Sequence, residues 1–177
     1  MSVSRRVFTS GLAILPLVKA RPQAPEAQAS SEQPSPAWQA RFFDEHQLET
    51  VAVIAERIIP ATDTPGAREA LVHQHLDSIL ADSPEAVRTR FLEGLWWLDG
   101  YCLRSEGKPF KELTPTAQTE LLLRLHDSSE PDLEPGKNFV GLAKTWTAKI
   151  YYSTQIGEQE LNKGGRVPSS YATSCQA

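Results

Sequence analysis

Asp44-Glu45-His46-Gln47-Leu48-Glu49-Thr50-Val51-Ala52-Val53-Ile54-Ala55-Glu56-Arg57-Ile58-Ile59-Pro60 is the stretch on which the fold turns. Asp44 can accept from the free amides of a first helical turn, and Gln47 completes a capping box. Phe43 and Leu48 stand where a hydrophobic staple belongs. Leu48, Val51, Ala52, Ala55, Ile58 and Ile59 recur at helical spacing and predict one apolar face. Pro60 ends the run, because it has no N–H and restricts the backbone of Ile59 before it.

Downstream the same grammar repeats. Asp63-Thr64-Pro65-Gly66 reads as a turn, with Thr64 predicted to cap the next helix and Pro65 at its first position. Val72, His75, Leu76, Ile79 and Leu80 form the expected buried stripe of that helix. Ser83-Pro84-Glu85 predicts a third helix with Val87, Phe91, Leu95, Leu98 and Cys102 inward and Gly107 at its end. Thr114-Pro115 predicts a fourth, carrying Leu121, Leu122 and Leu125. An irregular acidic loop is expected from Asp127 to Pro135. A fifth helix shows Phe139, Leu142, Ala143, Trp146 and Ile150, and beyond it periodicity fades into an expected extended tail with Gly164-Gly165 and Pro168. No run alternates as a strand would, so the fold class is all-α, a compact domain of about five helices over residues 38–177.

Upstream, Ser4-Arg5-Arg6-Val7-Phe8 is followed by Gly11-Leu12-Ala13-Ile14-Leu15-Pro16-Leu17-Val18 and the small-residue site Val18-Lys19-Ala20. The apolar run is shorter than the roughly 20 residues a membrane-spanning helix needs. Charge, apolar run and small residues in that order make a signal peptide, expected over residues 1–20. Ser4, Arg5, Arg6 and Phe8 resemble the twin-arginine signal of the pathway that exports folded proteins, with Thr9 where Leu is usual. Residues 21–37, rich in Pro, Gln, Ala, Ser and Glu, have the composition of a flexible linker.

Chemistry is sparse. A net charge of -4 and the lack of a basic patch with interleaved aromatics exclude a broad nucleic-acid surface. His73 and His75 lie two apart on a helix and face apart, so they do not form a chelating pair. Asp63 with Glu56 could be drawn as an acid/base pair, but Asp beside Pro and Gly is ordinary turn chemistry. Phosphate-loop, dinucleotide, nucleophile-elbow and haem-attachment motifs are all missing. No catalytic, cofactor-binding or metal-binding residue is therefore assigned to this chain. Cys102 and Cys175 could pair with each other, bond a partner, or stay free, and Cys102 falls on an apolar face where a buried thiol is natural. Trp96 and Trp97 point about 100° apart on a helix, so one of them is expected at the surface. Trp38 with Phe42 and Tyr151 with Tyr152 are two further candidate contacts for a partner.

The run Arg57-Ile58-Ile59-Pro60-Ala61-Thr62-Asp63-Thr64-Pro65-Gly66-Ala67 resembles the signature of the gluconate 2-dehydrogenase subunit 3 family. Phe110-Lys111-Glu112-Leu113 with Gln118, the run Tyr151-Tyr152-Ser153-Thr154-Gln155-Ile156-Gly157, and Tyr171 to Cys175 are similar to later family segments. Lys149-Ile150 stands before the tyrosines where Gly is common. The resemblance implies a small, non-catalytic subunit of a periplasmic sugar or sugar-acid dehydrogenase, associated with the inner membrane through its complex. It implies a partner of the glucose-methanol-choline type holding FAD, often joined by a multihaem cytochrome c, with export of the flavoprotein led by the small subunit's signal. Arg57, Pro60, Asp63, Thr64, Pro65 and Gly66 read first as a structural corner. A stand-alone ligand-binding domain and an independent enzyme are the rival readings.

Overall fold

The computed structural model describes residues 38–162, which lie in the second of the two units into which the chain divides, Trp38–Ala177. Six α-helices run α1 (Glu45–Ile58), α2 (Val72–Ala81), α3 (Glu85–Glu106), α4 (Pro115–Asp127), α5 (Glu134–Tyr151) and α6 (Gln155–Asn162). Short 3-10 turns at Phe110–Glu112 and Pro131–Leu133 connect α3 to α4 and α4 to α5. There is no strand among the described residues, and the domain is all-α as its sequence predicts.

The α1 start follows its sequence closely. The Asp44 carboxylate accepts from the Gln47 amide at 2.7 Å, and the Gln47 side chain accepts from the Asp44 amide at 3.2 Å. α1 ends at Ile58, two residues before Pro60, whose ring and missing N–H stop the helix. Thr114 accepts from the Ala117 amide and caps α4 with Pro115 behind it. Gly107 takes the left-handed conformation (φ 71°) that closes α3, a backbone state a β-carbon disfavours.

Four local expectations give way to tertiary packing. Thr64-Pro65 does not open α2; a coiled turn over 67–71 intervenes, and α2 starts after Leu71, itself left-handed at φ 54°. Ser83 does not cap α3, because its hydroxyl donates backwards to the Ile79 carbonyl at 2.7 Å. The acidic loop ends early, since Pro131–Leu133 is already helical and α5 begins at Glu134 rather than after Pro135. Helical structure does not stop at the end of α5, because residues 155–162 form α6, the sixth α-helix among the described residues.

α5 is the central element, packing on α3 and α4 and touching α1 and α2. Phe43, Phe91 and Phe139 form an aromatic chain through the core, with ring centroids 5.7 and 5.5 Å apart. Leu95, Leu98, Leu125, Val72 and Leu80 fill around it, each close to fully buried. In the α2 stripe, Val72, Leu76 and Leu80 are buried as expected, whereas His75 and Ile79 are exposed. Their place is taken by Asp77, which is completely buried. Its carboxylate accepts from the amides of Arg41, Phe42 and Phe43 at 2.7–3.0 Å. A buried charge is tolerable only when satisfied in this way, and three amide donors do it.

Candidate functional site

The corner between α1 and α2 is held by groups that sequence spacing assigned elsewhere. Both oxygens of Glu56 accept backbone amides, one from Ala61 and one from Arg68, each at 3.0 Å. Glu56 is thus engaged as a turn clamp on the backbone. The Thr62 amide donates to the Thr64 carbonyl, and the Thr62 hydroxyl donates to Asp63 at 3.0 Å. The Ala67 amide returns to the Ile59 carbonyl at 2.9 Å and closes the loop. Gly66 passes so near Glu56 that a β-carbon there would lie 2.5 Å from the Ala61 nitrogen and 2.7 Å from the Glu56 carboxylate. Pro60 and Pro65 are the rigid ends of this turn.

The corner is tied to the far end of the chain through Tyr151. Its ring is completely buried, and its hydroxyl donates to the Pro65 carbonyl at 2.8 Å across 86 residues. Burial, with the Glu160 carboxylate beside it adding, pushes the phenol up to about 12, and the Thr64 hydroxyl bonded to it opposes the shift. Thr64 therefore serves the tyrosine rather than a helix terminus. On the surface of the same corner, Arg68 pairs with Glu49 at 2.9 Å, and that hydrogen bond holds the Glu49 carboxyl below its usual range.

Arg57 belongs to the corner only in sequence. It lies in a groove with α4 and α5, and its Nε is buried with no hydrogen-bond partner among the described residues.

The candidate contact aromatics separate into two kinds. Trp38, Trp96 and Tyr152 are exposed, Trp96 most of all at 57%. Phe42 is half-buried against Phe43, and Tyr151 belongs to the core, so neither Tyr151 nor most of Phe42 is a surface for another chain. Trp97 is half-buried, stacked on Tyr101 with ring centroids 5.3 Å apart, and lies against Gly136 at the start of α5. The two tryptophans thus divide as helical geometry demands, one outward and one packed. Leu103, two turns beyond Trp96, is 52% exposed and extends the same face. Sequence reading missed Leu103 because α3 carries apolar residues on more than one side, which blurs its periodicity.

Two polar networks also escaped notice. Asp99 joins three elements, meeting the His46 ring at 2.7 Å and accepting from the Phe110 amide at 3.0 Å. Gln118, buried in α4, donates to the carbonyls of Phe110, Lys111 and Leu113 and sets the 3-10 turn against its helix. Spacing gave no signal for Asp77 or Asp99, because their partners lie in other elements.

Cys102 is a free, fully buried thiol, and burial, with Asp99 and Glu106 adding, pushes it up to about 12. Cys175 and the signal residues Ser4, Arg5, Arg6 and Phe8 lie outside the described residues. No group of three His, Cys, Asp or Glu side chains able to hold a metal occurs among the described residues. Nor is any described helix long and apolar enough to cross a membrane.

The family model described as gluconate 2-dehydrogenase subunit 3 matches residues 45–164, a span that takes in α1 to α6 whole. Comparisons with curated proteins and with solved structures returned no match. The corner at 57–67, the Gln118-anchored turn and the Tyr151 to Gly157 run all fall inside the matched span. The chain belongs to the gluconate 2-dehydrogenase subunit 3 family, a family of dehydrogenase-complex subunits.

Proposed function

We propose that the chain is a non-catalytic accessory subunit that binds the flavoprotein subunit of a periplasmic sugar or sugar-acid dehydrogenase and leads it through export. The observation that carries this reading is the exposed α3 face of Trp96 and Leu103 on a domain of this family. Trp96 is left 57% exposed beside Leu103, and tryptophan is a favoured anchor of protein interfaces. Polar groups at the corner are engaged in holding the backbone, which supports a scaffold role over a chemical one.

In this reading the partner is of the glucose-methanol-choline type and holds FAD. A multihaem cytochrome c passes electrons on and ties the complex to the inner membrane. The two subunits fold together in the cytoplasm, and the arginines at positions 5 and 6 address the pair to the twin-arginine pathway. An obligate interface of this kind buries more than about 2,000 Å². The test is the double substitution Arg5→Lys, Arg6→Lys in the native host. Both subunits and the flavin-dependent activity are expected to stay in the cytoplasm. Normal periplasmic activity in that strain would refute the export role. A tagged chain recovered as a flavin-free monomer from periplasm and membranes would remove the subunit reading altogether.

A further inference from the structure

Among the described residues, three of the grooves between helices bear comparison. Two of them, of about 270 and 290 Å³, carry their own acids, with Glu93 beside Arg90 in one and Glu106 and Glu120 beside Arg124 in the other. The third, of about 180 Å³, is different. Arg57 from α1, His126 from α4 and Lys144 from α5 converge on an apolar floor of Ile58, Leu122 and Val140, and no Asp or Glu lines it. None of the three basic side chains has a hydrogen-bond or ion-pair partner among the described residues, and the Nε of Arg57 is buried without one. The whole chain is acidic at -4, so an acid-free basic groove stands out against its background.

Helix dipoles explain part of this. Arg57 and His126 lie in the last turns of α1 and α4, where a cation is favoured. A dipole does not give the buried Arg57 Nε an acceptor, and Lys144 sits inside α5, away from its C-terminal turn. Leu123 stands beside the groove, 56% exposed, an apolar rim for something that is not in the chain's own described core.

The geometry points to this groove as the seat of a partner-chain anchor, an apolar side chain with a carboxylate next to it in sequence. The carboxylate meets Arg57 and Lys144 while the apolar group rests on Ile58, Leu122 and Val140. The terminal N–H groups of a planar guanidinium are suited to end-on bidentate contact with a carboxylate. The volume decides between a peptide side chain and a whole ligand, because about 180 Å³ falls below the roughly 300–1,000 Å³ of small-molecule sites. This inference rests on the accessory-subunit reading, which supplies the partner: the anchor belongs to the flavoprotein subunit.

The test uses the co-expressed complex. Lys144→Glu reverses charge in the groove, and Lys149→Glu, exposed on the same helix but outside the groove, makes the same change in net charge. Lys144→Glu is expected to weaken subunit association at least about tenfold, with the melting temperature of the isolated chain unchanged, and Lys149→Glu is expected to have little effect. A p-benzoylphenylalanine at Leu123 is expected to cross-link to a flavoprotein peptide that carries Asp or Glu beside an apolar residue. If Lys144→Glu associates like the parent and position 123 does not cross-link, the anchor is wrong while the subunit reading stands. If the parent chain itself binds no flavoprotein, both fall. Saturable binding of decanoate in the groove, with association untouched by Lys144→Glu, overturns the anchor in favour of a free amphiphile.

Discussion

Gly66 shows how one missing β-carbon shapes the corner. Both oxygens of Glu56 must reach backbone amides across the turn, and the chain at position 66 fills the space between. Gly66→Ala would place a methyl 2.5 Å from a backbone nitrogen and 2.7 Å from the clamping carboxylate. Neither neighbour is a free-swinging group, so the turn must shift. A loss of about 1–3 kcal/mol in urea unfolding is expected, the range for overpacking a tight site. A neutral result would mean that the turn relaxes without cost and that Glu56 is not a rigid clamp. Tyr151 bears on the same turn from 86 residues away. The conspicuous residues of the family signature are thus mostly backbone fasteners. Arg57, with its unsatisfied Nε, is the exception.

At the scale of elements, the start of α1 depends on a residue of α2. Asp77 gathers the amides of Arg41, Phe42 and Phe43 just before the Asp44 capping box. Without it three amides in a partly buried segment lose their acceptor. Asp77→Ala is expected to cost about 3 kcal/mol or more, since each orphaned donor carries its own desolvation penalty. Hydrogen exchange at Arg41, Phe42 and Phe43 should quicken before exchange in α3 or α5 does. Asp77→Asn keeps one acceptor oxygen and should recover part of the loss. Uniform quickening across all helices would show that Asp77 supports the whole core rather than this junction. The exposed Arg41–Asp82 pair beside it adds little, because solvent screens it.

For the molecule as a whole, His73 links stability to pH. Its ring is half-buried, its Nδ1 is buried without a partner, and burial, then the nearby Arg68 charge, depresses its pKa from 6.5. Glu49 opposes the shift and His75 adds to it. A base with a depressed folded pKa is protonated first in the unfolded chain, so acid favours unfolding. The stability this group contributes is therefore complete above 6.5 and is lost as pH falls through its folded value. Melting temperature should drop as pH falls below about 6.5, and His73→Gln should flatten that slope. The Glu49 carboxyl, held low by Arg68, acts only at lower pH, below its ordinary 4.5. An unchanged slope in His73→Gln would assign the pH response to other groups.

What was legible in the sequence was whatever a few neighbouring residues settle among themselves. The Asp44 box, the Pro60 stop, the Thr114 cap and the Gly107 terminus each follow from hydrogen bonds or steric limits within one turn of chain. The 3.6-residue period adds the all-α class and most of the core. The family corner and the outward tryptophan of the Trp96-Trp97 pair were visible for the same local reasons. Burial of Asp77, the clamp by Glu56, the Thr64–Tyr151 contact and the groove at Arg57 were not, because their partners lie far along the chain or on other helices. Ser83 and Thr64 carry the same cap chemistry as Thr114, yet they turn to other acceptors once α2, α5 and the corner are packed. A short polar side chain has several reachable partners of nearly equal energy, about 1 kcal/mol apart at most. Packing elsewhere in the domain therefore chooses among them.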